Sequence, residues 1–200
     1  MKKLLITAAI CAMCGTANAK EGDWLLRARA INVMPDESAS VSVLGGGVDA
    51  DVQAVPELDL TYFFTDNIAA ELIAATSNHN VTATAGGQDL GDVWILPPTL
   101  TLQYHFTNET AFKPYVGAGV NVSYFYGAES GRSITSIEYD HSVGPALQLG
   151  LDYKLDENYS LNLDVKKVWI NTDVKINGGN IRADVDLDPW IVGAGIGYTF

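Results

Sequence analysis

Large apolar side chains occupy every second position of the last eleven residues, WIVGAGIGYTF, which run from Trp190 to Phe200. The positions between them hold mostly glycine. A period of two residues predicts a β-strand, because successive side chains of a strand point to opposite faces. In a soluble sheet the second face would carry charged or polar residues, whereas here it is nearly bare. The pattern therefore predicts a strand with one large apolar face and one face that meets a crowded interior.

The same period of two recurs along the whole chain. Eight segments show it, at residues 23–34, 52–64, 68–77, 98–106, 113–126, 143–155, 159–170 and 188–200. Three connections are tight, at 65–67, 107–111 and 156–158. Four are long and polar, near 35–51, 78–97, 127–142 and 171–187. Because short and long connections alternate, all the short ones lie at one end, and we predict an all-β fold: an eight-stranded antiparallel transmembrane β-barrel with short periplasmic turns and four long external loops.

Aromatic residues fall into two bands on such a barrel. One band lies near the short turns and contains Trp24, Tyr62, Phe64, Tyr104, Phe106, Tyr153, Tyr159, Tyr198 and Phe200. The other lies near the long connections and contains Trp94, Tyr124, Tyr126, Trp169 and Trp190. Two aromatic bands separated by aliphatic residues are typical of the two membrane interfaces. A secreted antiparallel sandwich would explain the period but not the bands.

The first nineteen residues, MKKLLITAAICAMCGTANA, have the three parts of a secretory signal. Lys2 and Lys3 precede an apolar run that is too short to cross a bilayer, and a small-x-small triplet ends at Ala19. Neither Cys11 nor Cys14 follows the small residue that a lipoprotein signal requires. We therefore predict a cleaved signal peptide at 1–19 and an outer-membrane β-barrel at 20–200.

Removal of this segment leaves 200 − 19 = 181 residues, the length of one domain, without cysteine. The remaining charge is 24 acidic against 12 − 2 = 10 basic residues, or −14. This negative charge argues against nucleic acid as a partner. Because no cysteine remains, no disulfide contributes to stability.

The inward face of the barrel follows from the parity of each strand. Its lower and middle part receives charges of both signs, at Arg27, Arg29, Glu57, Asp59, Glu71, Asp152, Lys154, Asp164 and Lys166. An unpaired buried charge is costly, and the inside of an eight-stranded barrel is barely wider than its side chains. We therefore expect a salt-bridged plug rather than an aqueous pore.

The upper lumen, toward the long connections, is apolar by the same assignment. It contains Ile31, Val33, Val55, Ile73, Phe125, Val168, Ile170 and Ile191. These residues are a candidate binding site for a hydrophobic ligand. The alternative is that they pack against one another beneath the loops.

Three prolines lie within predicted strands or at their start, at Pro56, Pro98 and Pro145. Each removes a hydrogen-bond donor from the ladder. A wall weakened in this way would let an apolar molecule leave sideways into lipid; the other interpretation is that the prolines mark bulges or strand ends.

Catalytic and metal-binding interpretations have little support in the sequence. His79 and His141 fall in predicted loops, and His105 belongs to the lower lumen or its rim, so we expect solvated or plug residues. An acidic alternation lacks the glycine and distal glutamate of a calcium loop and is interpreted as a solvated external face, at Asp184, Asp186 and Asp188. We predict no enzyme, no metal site and no cofactor.

Several motifs in order resemble the OmpW family of small outer-membrane proteins. They are TDNIAAELIAAT (65–76), LPPTL (96–100), PYVGAGVN (114–121), LQLGLDY (147–153), LDPW (187–190) and GYTF (197–200). The resemblance covers nearly all of the chain after the signal. It implies an eight-stranded barrel in a Gram-negative outer membrane whose hydrophobic lumen passes small apolar molecules inward.

The leading hypothesis is therefore an outer-membrane conduit for passive uptake of small hydrophobic solutes through the apolar upper lumen. The alternative is a structural or surface-interaction barrel with an inert, plugged lumen. The expected partners are outer-membrane lipid, small hydrophobic solutes and, through the terminal Phe200, the barrel-assembly machinery.

Overall fold

The computed structural model describes residues 18–36, 38–41, 48–83, 88–132 and 134–200. The strands of this part of the chain are β1 (Trp24–Met34), β2 (Ser38–Val41), β3 (Val48–Ala50), β4 (Gln53–Phe63), β5 (Ile68–Ala75), β6 (Ser77–Ala83), β7 (Gln88–Leu96), β8 (Thr99–His105), β9 (Phe112–Ser130), β10 (Ile137–Tyr139), β11 (Ser142–Lys154), β12 (Tyr159–Val168), β13 (Asn171–Ile176), β14 (Ile181–Asp186) and β15 (Trp190–Thr199). Within the same residues there is no helix long and apolar enough to cross a membrane. Most of the predicted signal peptide, residues 1–17, lies outside them, so its cleavage stays a prediction.

Eight of these strands close into an antiparallel barrel, which confirms the predicted fold. Around the wall the order is β1, β4, β5, β8, β9, β11, β12 and β15, and β15 pairs again with β1. Each barrel strand lies within the predicted segment or within a few residues of it. The ends of the chain complete the last seam, where Trp24 N donates to Phe200 O at 3.0 Å and Phe200 N donates to Trp24 O at 2.9 Å.

The bare face of the last strand lies inside the barrel, and the side chains of β1 explain it. Arg29 is in register with Gly195 across the β1–β15 ladder, and Ile31 with Gly193. A Cβ at Gly195 would lie 2.7 Å from Arg29 Cγ, and one at Gly193 would lie 2.6 Å from Ile31 Cγ2. The glycines therefore make room for the large lumen residues of the neighbouring strand.

The outward face of the barrel is apolar. Aliphatic side chains such as Leu100, Leu149 and Leu163 are more than half exposed. Aromatic residues lie at both ends of this face and pack in pairs. Near the short turns, Trp24 and Tyr62 have ring centroids 4.7 Å apart, and further pairs there are Tyr62–Phe64, Tyr104–Phe106 and Tyr159–Tyr198. At the far end, Trp94 pairs with Tyr126. A continuous exposed apolar belt with aromatic edges fits a lipid bilayer.

The long connections lie at one end as predicted, but the interpretation of them as loops was wrong for much of their length. Here, at what we call the outer end, the barrel divides into two sheets. Four adjacent barrel strands continue into the sheet β10-β13-β14-β2, and β3, β6 and β7 extend the other side along the upper part of β9. Their inward residues alternate with exposed ones, as at Thr172, Val174 and Ile176 of β13. These strands pair because each inward face buries apolar side chains above the lumen.

Candidate functional site

Charged residues fill the middle of the lumen and contact one another. Arg27 lies at the centre, fully buried, with Nη1 3.3 Å from Asp59 Oδ1 and 3.0 Å from Glu71 Oε1, and with Nη2 2.7 Å from Asp152 Oδ2. Its Nη1 also donates to the hydroxyl of Thr61 at 3.1 Å. A guanidinium suits this position because the planar group offers five N–H donors and keeps its positive charge.

Arg29 extends the network toward the outer end. It contacts Glu57 through Nε at 3.0 Å, and through Nη2 it contacts Asp59 at 2.6 Å and Glu71 at 3.1 Å. Its Nη1 lies 3.2 Å from Asp164. Each arginine therefore faces several carboxylates, and they share Asp59 and Glu71.

Two lysines complete the set of nine charged residues assigned to the lumen from the sequence. Lys166 lies with Nζ 2.6 Å from Glu57 Oε1 and 3.3 Å from Asp164 Oδ1. Lys154, near the short-turn end, donates from Nζ to Thr199 Oγ1 at 3.1 Å. The structure places all nine of these residues inside the barrel, and all are buried.

Uncharged lumen residues connect the carboxylates further. Tyr115 donates its hydroxyl proton to Asp164 at 2.7 Å, and the amides of Gln103 and Gln148 donate to Glu71 Oε2 at 2.7 and 2.8 Å. Asn162 Nδ2 donates to Asp152 Oδ1 at 2.9 Å. These hydrogen bonds and ion pairs join side chains from several strands into one polar layer across the lumen.

Above this layer lies an apolar cavity of about 190 Å³. All eight residues assigned to the upper lumen from the sequence line it, at Ile31, Val33, Val55, Ile73, Phe125, Val168, Ile170 and Ile191. Its floor is the ion pair of Lys166 and Glu57, so the boundary between polar and apolar lumen falls at this pair.

The outer strands supply the rest of the cavity wall, which sequence reasoning missed. These residues come from β3, β6, β7, β10, β13 and β14, and those of the last four strands include Leu90, Val93, Ile95, Ile137, Val174, Ile176, Ala183 and Val185. They are buried together with the upper lumen residues in one apolar cluster. For β13 and β14 the signal that could have found them is parity, because the inward alternation of β12 and β15 continues into these strands. In β7 and β10 the alternation shifts by one residue, so parity alone does not predict their inward residues.

Phe125 joins the two outer sheets. Its ring stacks on Tyr139 of β10 with centroids 5.5 Å apart and planes at 14°. Burial among apolar groups, with the carboxylate of Asp92 adding to the effect, raises the pKa of Tyr139, so its hydroxyl stays protonated. The stack closes the seam between β9 and β10 over the cavity.

His79 lies in the wall of this cavity, so its interpretation as a solvated loop residue was wrong. Its side chain is buried, with Nε2 2.9 Å from Ser77 Oγ and Nδ1 3.0 Å from the main-chain oxygen of Asp51. The parity of β5 predicts this, since Ala69, Glu71, Ile73 and Ala75 face inward and Ser77 and His79 continue the series.

The other two histidines lie apart from the cavity. His105 is buried at the short-turn end, where Nε2 is 2.9 Å from Gln103 Oε1 and its ring stacks on Tyr115. His141 is exposed and lies against the ring of Tyr124. The three histidines therefore occupy three separate places.

The acidic alternation lies on the outer side of β14 and beyond it. Asp184 is exposed, whereas Asp186 and Asp188 are half-buried. Asn171 Nδ2 donates to Asp184 at 2.6 Å and to Asp186 at 2.8 Å, and Asp188 Oδ1 accepts from Ile170 N at 3.0 Å. Among the described residues there is no group of three or more metal-ligating side chains.

Three ladders of the barrel wall end beside prolines near the cavity, although Trp169 N still donates to Pro145 O at 3.1 Å and pairing beyond Pro98 resumes at Ser77 and Ile95. The β4–β5 ladder ends at the pair Glu57 and Ala75, next to Pro56. The β5–β8 ladder ends at Ile73 and Thr99, next to Pro98, and the β11–β12 ladder ends at Ala146 and Val168, next to Pro145. Pro98 lies directly before β8 and so marks a strand end. Pro56 and Pro145 lie inside β4 and β11, where each stays paired with the neighbour on its other side, Ala30 and Val120.

A closed eight-stranded barrel with a lipid-facing belt, a bonded polar layer and an apolar cavity defines a small outer-membrane β-barrel protein. The chain belongs to the OmpW family, whose sequence profile matches residues 20–200. It is accordingly a protein of the outer membrane.

Known proteins are similar to it in sequence and in fold. Outer membrane protein W of Escherichia coli is 36% identical over 215 residues and covers 100% of both chains. The dibenzothiophene metabolism operon protein PahQ of Pseudomonas aeruginosa is 30% identical, over 91% of this chain and 90% of that protein. The crystal structure of the outer membrane protein OprG from Pseudomonas aeruginosa superposes with a TM-score of 0.86 at 33% identity, over 92% of this chain and 98% of the other.

Proposed function

We propose that this protein is a conduit for the passive uptake of small hydrophobic molecules across the outer membrane. The observation that carries the proposal is the apolar cavity of about 190 Å³ at the outer end of the lumen. Ile73, Phe125, Val168 and the other upper lumen residues bind the solute, because removing apolar surface from water is favourable.

The polar layer directs the path of the solute. Arg27 and Arg29 hold several carboxylates across the lumen at hydrogen-bonding distance, so a molecule that moved straight down would have to break these ion pairs. Breaking a buried pair leaves uncompensated charge and costs several kcal/mol, about 3–5 per pair. We therefore propose that the solute leaves sideways into lipid.

The sideways path runs through the wall beside the cavity. Val55, Ile73 and Ala75 line the cavity where the ladders of β4, β5 and β8 end. The opening lies between β4 and β5, where the ladder stops next to Pro56, whereas pairing on the other side of β5 resumes in the same register at Ser77 and Ile95. An apolar molecule passes there without displacing charge.

The name of one relative agrees with this type of cargo. PahQ is named for an operon of dibenzothiophene metabolism, and dibenzothiophene is a flat apolar molecule. We carry over the class of cargo, small hydrophobic compounds, rather than this compound.

We propose that the protein is not an enzyme, although Ser77, His79 and Asp51 lie side by side. In a hydrolytic triad the carboxylate holds the imidazole. Here the carboxylate of Asp51 is half exposed and 3.8 Å from His79 Nδ1, which instead faces the main-chain oxygen at 3.0 Å.

Two further proposals concern the ends of the chain. Residues 1–19 are removed on export, and the side chain of Phe200, which is 60% exposed beside Tyr198, is read by the barrel-assembly machinery.

The test is uptake of an apolar fluorescent probe, 1-N-phenylnaphthylamine, by cells whose lipopolysaccharide layer otherwise slows it. The double variant Ile73→Asp and Phe125→Asp places two charges in the cavity and should abolish the uptake that the protein adds. The matched control, Ile73→Val and Phe125→Leu, keeps the lining apolar and should retain it.

The rival function is an inert barrel that anchors a surface for interactions. If a folded Ile73→Asp and Phe125→Asp variant took up the probe as fast as the wild type, the conduit would be wrong. Function would then be expected in the outer strands, and shortening β13 and β14 would remove it.

A further inference from the structure

The polar groups in the cavity wall differ in whether they have a hydrogen-bond donor or acceptor available for a ligand. Lys166 and Glu57 at the floor are used in their ion pair. The hydroxyl of Thr99 donates to Pro97 O at 3.1 Å and accepts from Asn121 Nδ2 at 2.8 Å. The Lys166–Glu57 pair and the Thr99 hydroxyl therefore already have partners within the protein.

Ser77 is held differently, through a relay of two hydrogen bonds. His79 Nδ1 lies 3.0 Å from the main-chain oxygen of Asp51, and because a carbonyl oxygen only accepts, Nδ1 carries the hydrogen. Burial in an apolar wall favours the neutral imidazole, in which the other nitrogen accepts. His79 Nε2, 2.9 Å from Ser77 Oγ, therefore receives the serine hydrogen.

This arrangement leaves Ser77 as a hydrogen-bond acceptor in an apolar wall. Its single hydrogen points to His79, so the oxygen lone pairs are what it offers to a molecule in the cavity. The chain of two bonds polarises the hydroxyl and strengthens it as an acceptor.

We infer that the cavity selects apolar molecules that carry one hydrogen-bond donor, such as phenols and apolar alcohols, whose O–H donates to Ser77 Oγ. This inference rests on the proposed conduit function and specifies its substrate class. A hydroxyl that leaves water for an apolar cavity is costly unless it finds a partner, and Ser77 provides one.

The position of Ser77 fits a role in guiding the solute. It follows Ala75, the last residue of β5 that pairs with β4, by two residues. The acceptor therefore lies beside the gap in the wall, and a phenol bound there has its ring in the apolar cavity and its hydroxyl at the edge of the exit.

Thr172 is a competing acceptor, on the opposite sheet. Its hydroxyl donates to the main-chain oxygen of Asp140 at 2.7 Å, and the residue also lines the cavity. Because Thr172 and Ser77 lie on different sheets, single substitutions separate them, and Thr172→Val serves as the matched control for Ser77→Ala.

The experiment measures binding of three two-ring probes to the protein in lipid nanodiscs by equilibrium dialysis against empty nanodiscs. The probes are 2-naphthol, which donates, 2-methoxynaphthalene, which only accepts, and 2-methylnaphthalene, which does neither. The wild type should bind 2-naphthol about 3- to 10-fold more tightly than 2-methoxynaphthalene, as one net hydrogen bond provides. Ser77→Ala should lose this preference and still bind 2-methylnaphthalene, while Thr172→Val should keep it.

A second variant tests the direction of the bond. His79→Ala frees the hydroxyl hydrogen of Ser77, so the methoxy probe should gain affinity and the preference for 2-naphthol should shrink. Circular dichroism of each variant checks that the barrel is folded.

The results test the role of Ser77 and the proposed conduit function separately. If folded Ser77→Ala keeps the preference for 2-naphthol, or if Thr172→Val loses it, the inference is wrong while the conduit stands. If the wild type binds none of the three probes above the lipid background, the proposed conduit itself fails.

Discussion

At the scale of single residues, the lumen depends on arginines that each hold several carboxylates. Arg27 and Arg29 both contact Asp59 and Glu71, so neither ion pair exists by itself. The loss of Arg27 would leave Asp152 without its arginine and would leave Asp59 and Glu71 with Arg29 alone, so the buried negative charge would exceed the positive charge that compensates it.

The variant Arg27→Ala should therefore lower the free energy of unfolding by about 3–5 kcal/mol. The reason is that Asp59, Glu71 and Asp152 would remain buried without their shared partner. Urea unfolding of the protein in lipid vesicles measures the change.

An exposed ion pair gives the matched control. Lys175 Nζ lies 2.9 Å from Asp140 Oδ2, with the two side chains 34% and 51% exposed. Lys175→Ala should cost less than about 1 kcal/mol. Equal losses in the two variants would contradict the account of the lumen as a buried, mutually dependent network.

Individual lumen residues were predictable from the sequence to different degrees. The assignment of Arg27 and Ile31 to the inside follows from strand parity alone. The partners of each charge were not predictable, since they depend on which strands meet across the lumen. His79 was misplaced because a polar, asparagine-rich segment was interpreted as a loop, although its parity continued that of β5.

At the scale of elements, period two predicts a strand wherever the two faces meet different surroundings. The barrel strands have lipid on one face and the lumen on the other, so their outward residues are apolar. In β14 the inward residues Ala183 and Val185 stay buried while Asp184 is exposed. The outer strands were interpreted as loops because their outward face meets water above the membrane, which changes its composition. In β13 and β14 the parity is kept, whereas in β7 and β10 it shifts by one residue.

The short turn between β11 and β12 gives a prediction at this scale. Asp156 Oδ1 accepts from the backbone amides of Tyr159 at 2.7 Å and Asn158 at 2.9 Å, and these two bonds lower the pKa of Asp156. A carboxyl whose pKa is lower in the folded state stabilises the fold above its unfolded pKa, about 3.9, and loses this effect as the pH falls through the folded value.

Asp156→Ala should therefore be less stable than the wild type at pH 7, and the difference should vanish toward pH 2. The urea midpoints of both proteins at pH 7, 4 and 2 measure it. Glu157→Ala removes the same charge from the same turn and is the control. A gap between wild type and Asp156→Ala that does not change with pH would show that the carboxylate is not what holds the turn.

At the scale of the whole molecule, the belt sets how the protein sits in the bilayer. Trp24 and Trp190 lie at opposite ends of the β1–β15 pair, and both are exposed. From Trp190 to Phe200 there are ten steps of about 3.3 Å, so a strand tilted by about 45° climbs roughly 23 Å. This height is close to the apolar band of about 25 Å in such barrels.

Lipids brominated at defined chain positions test this placement by quenching tryptophan fluorescence. With the other tryptophans replaced by phenylalanine, Trp24 and Trp190 should each be quenched most by bromine close to the headgroups. Leu163, exposed at mid-height opposite Ala194, provides the control, because tryptophan introduced there by Leu163→Trp should be quenched most by bromine near the chain ends. If Trp24 or Trp190 followed the mid-height pattern, the membrane boundaries would not be at the aromatic bands, and the exit beside the cavity would no longer open at the outer edge of the lipid.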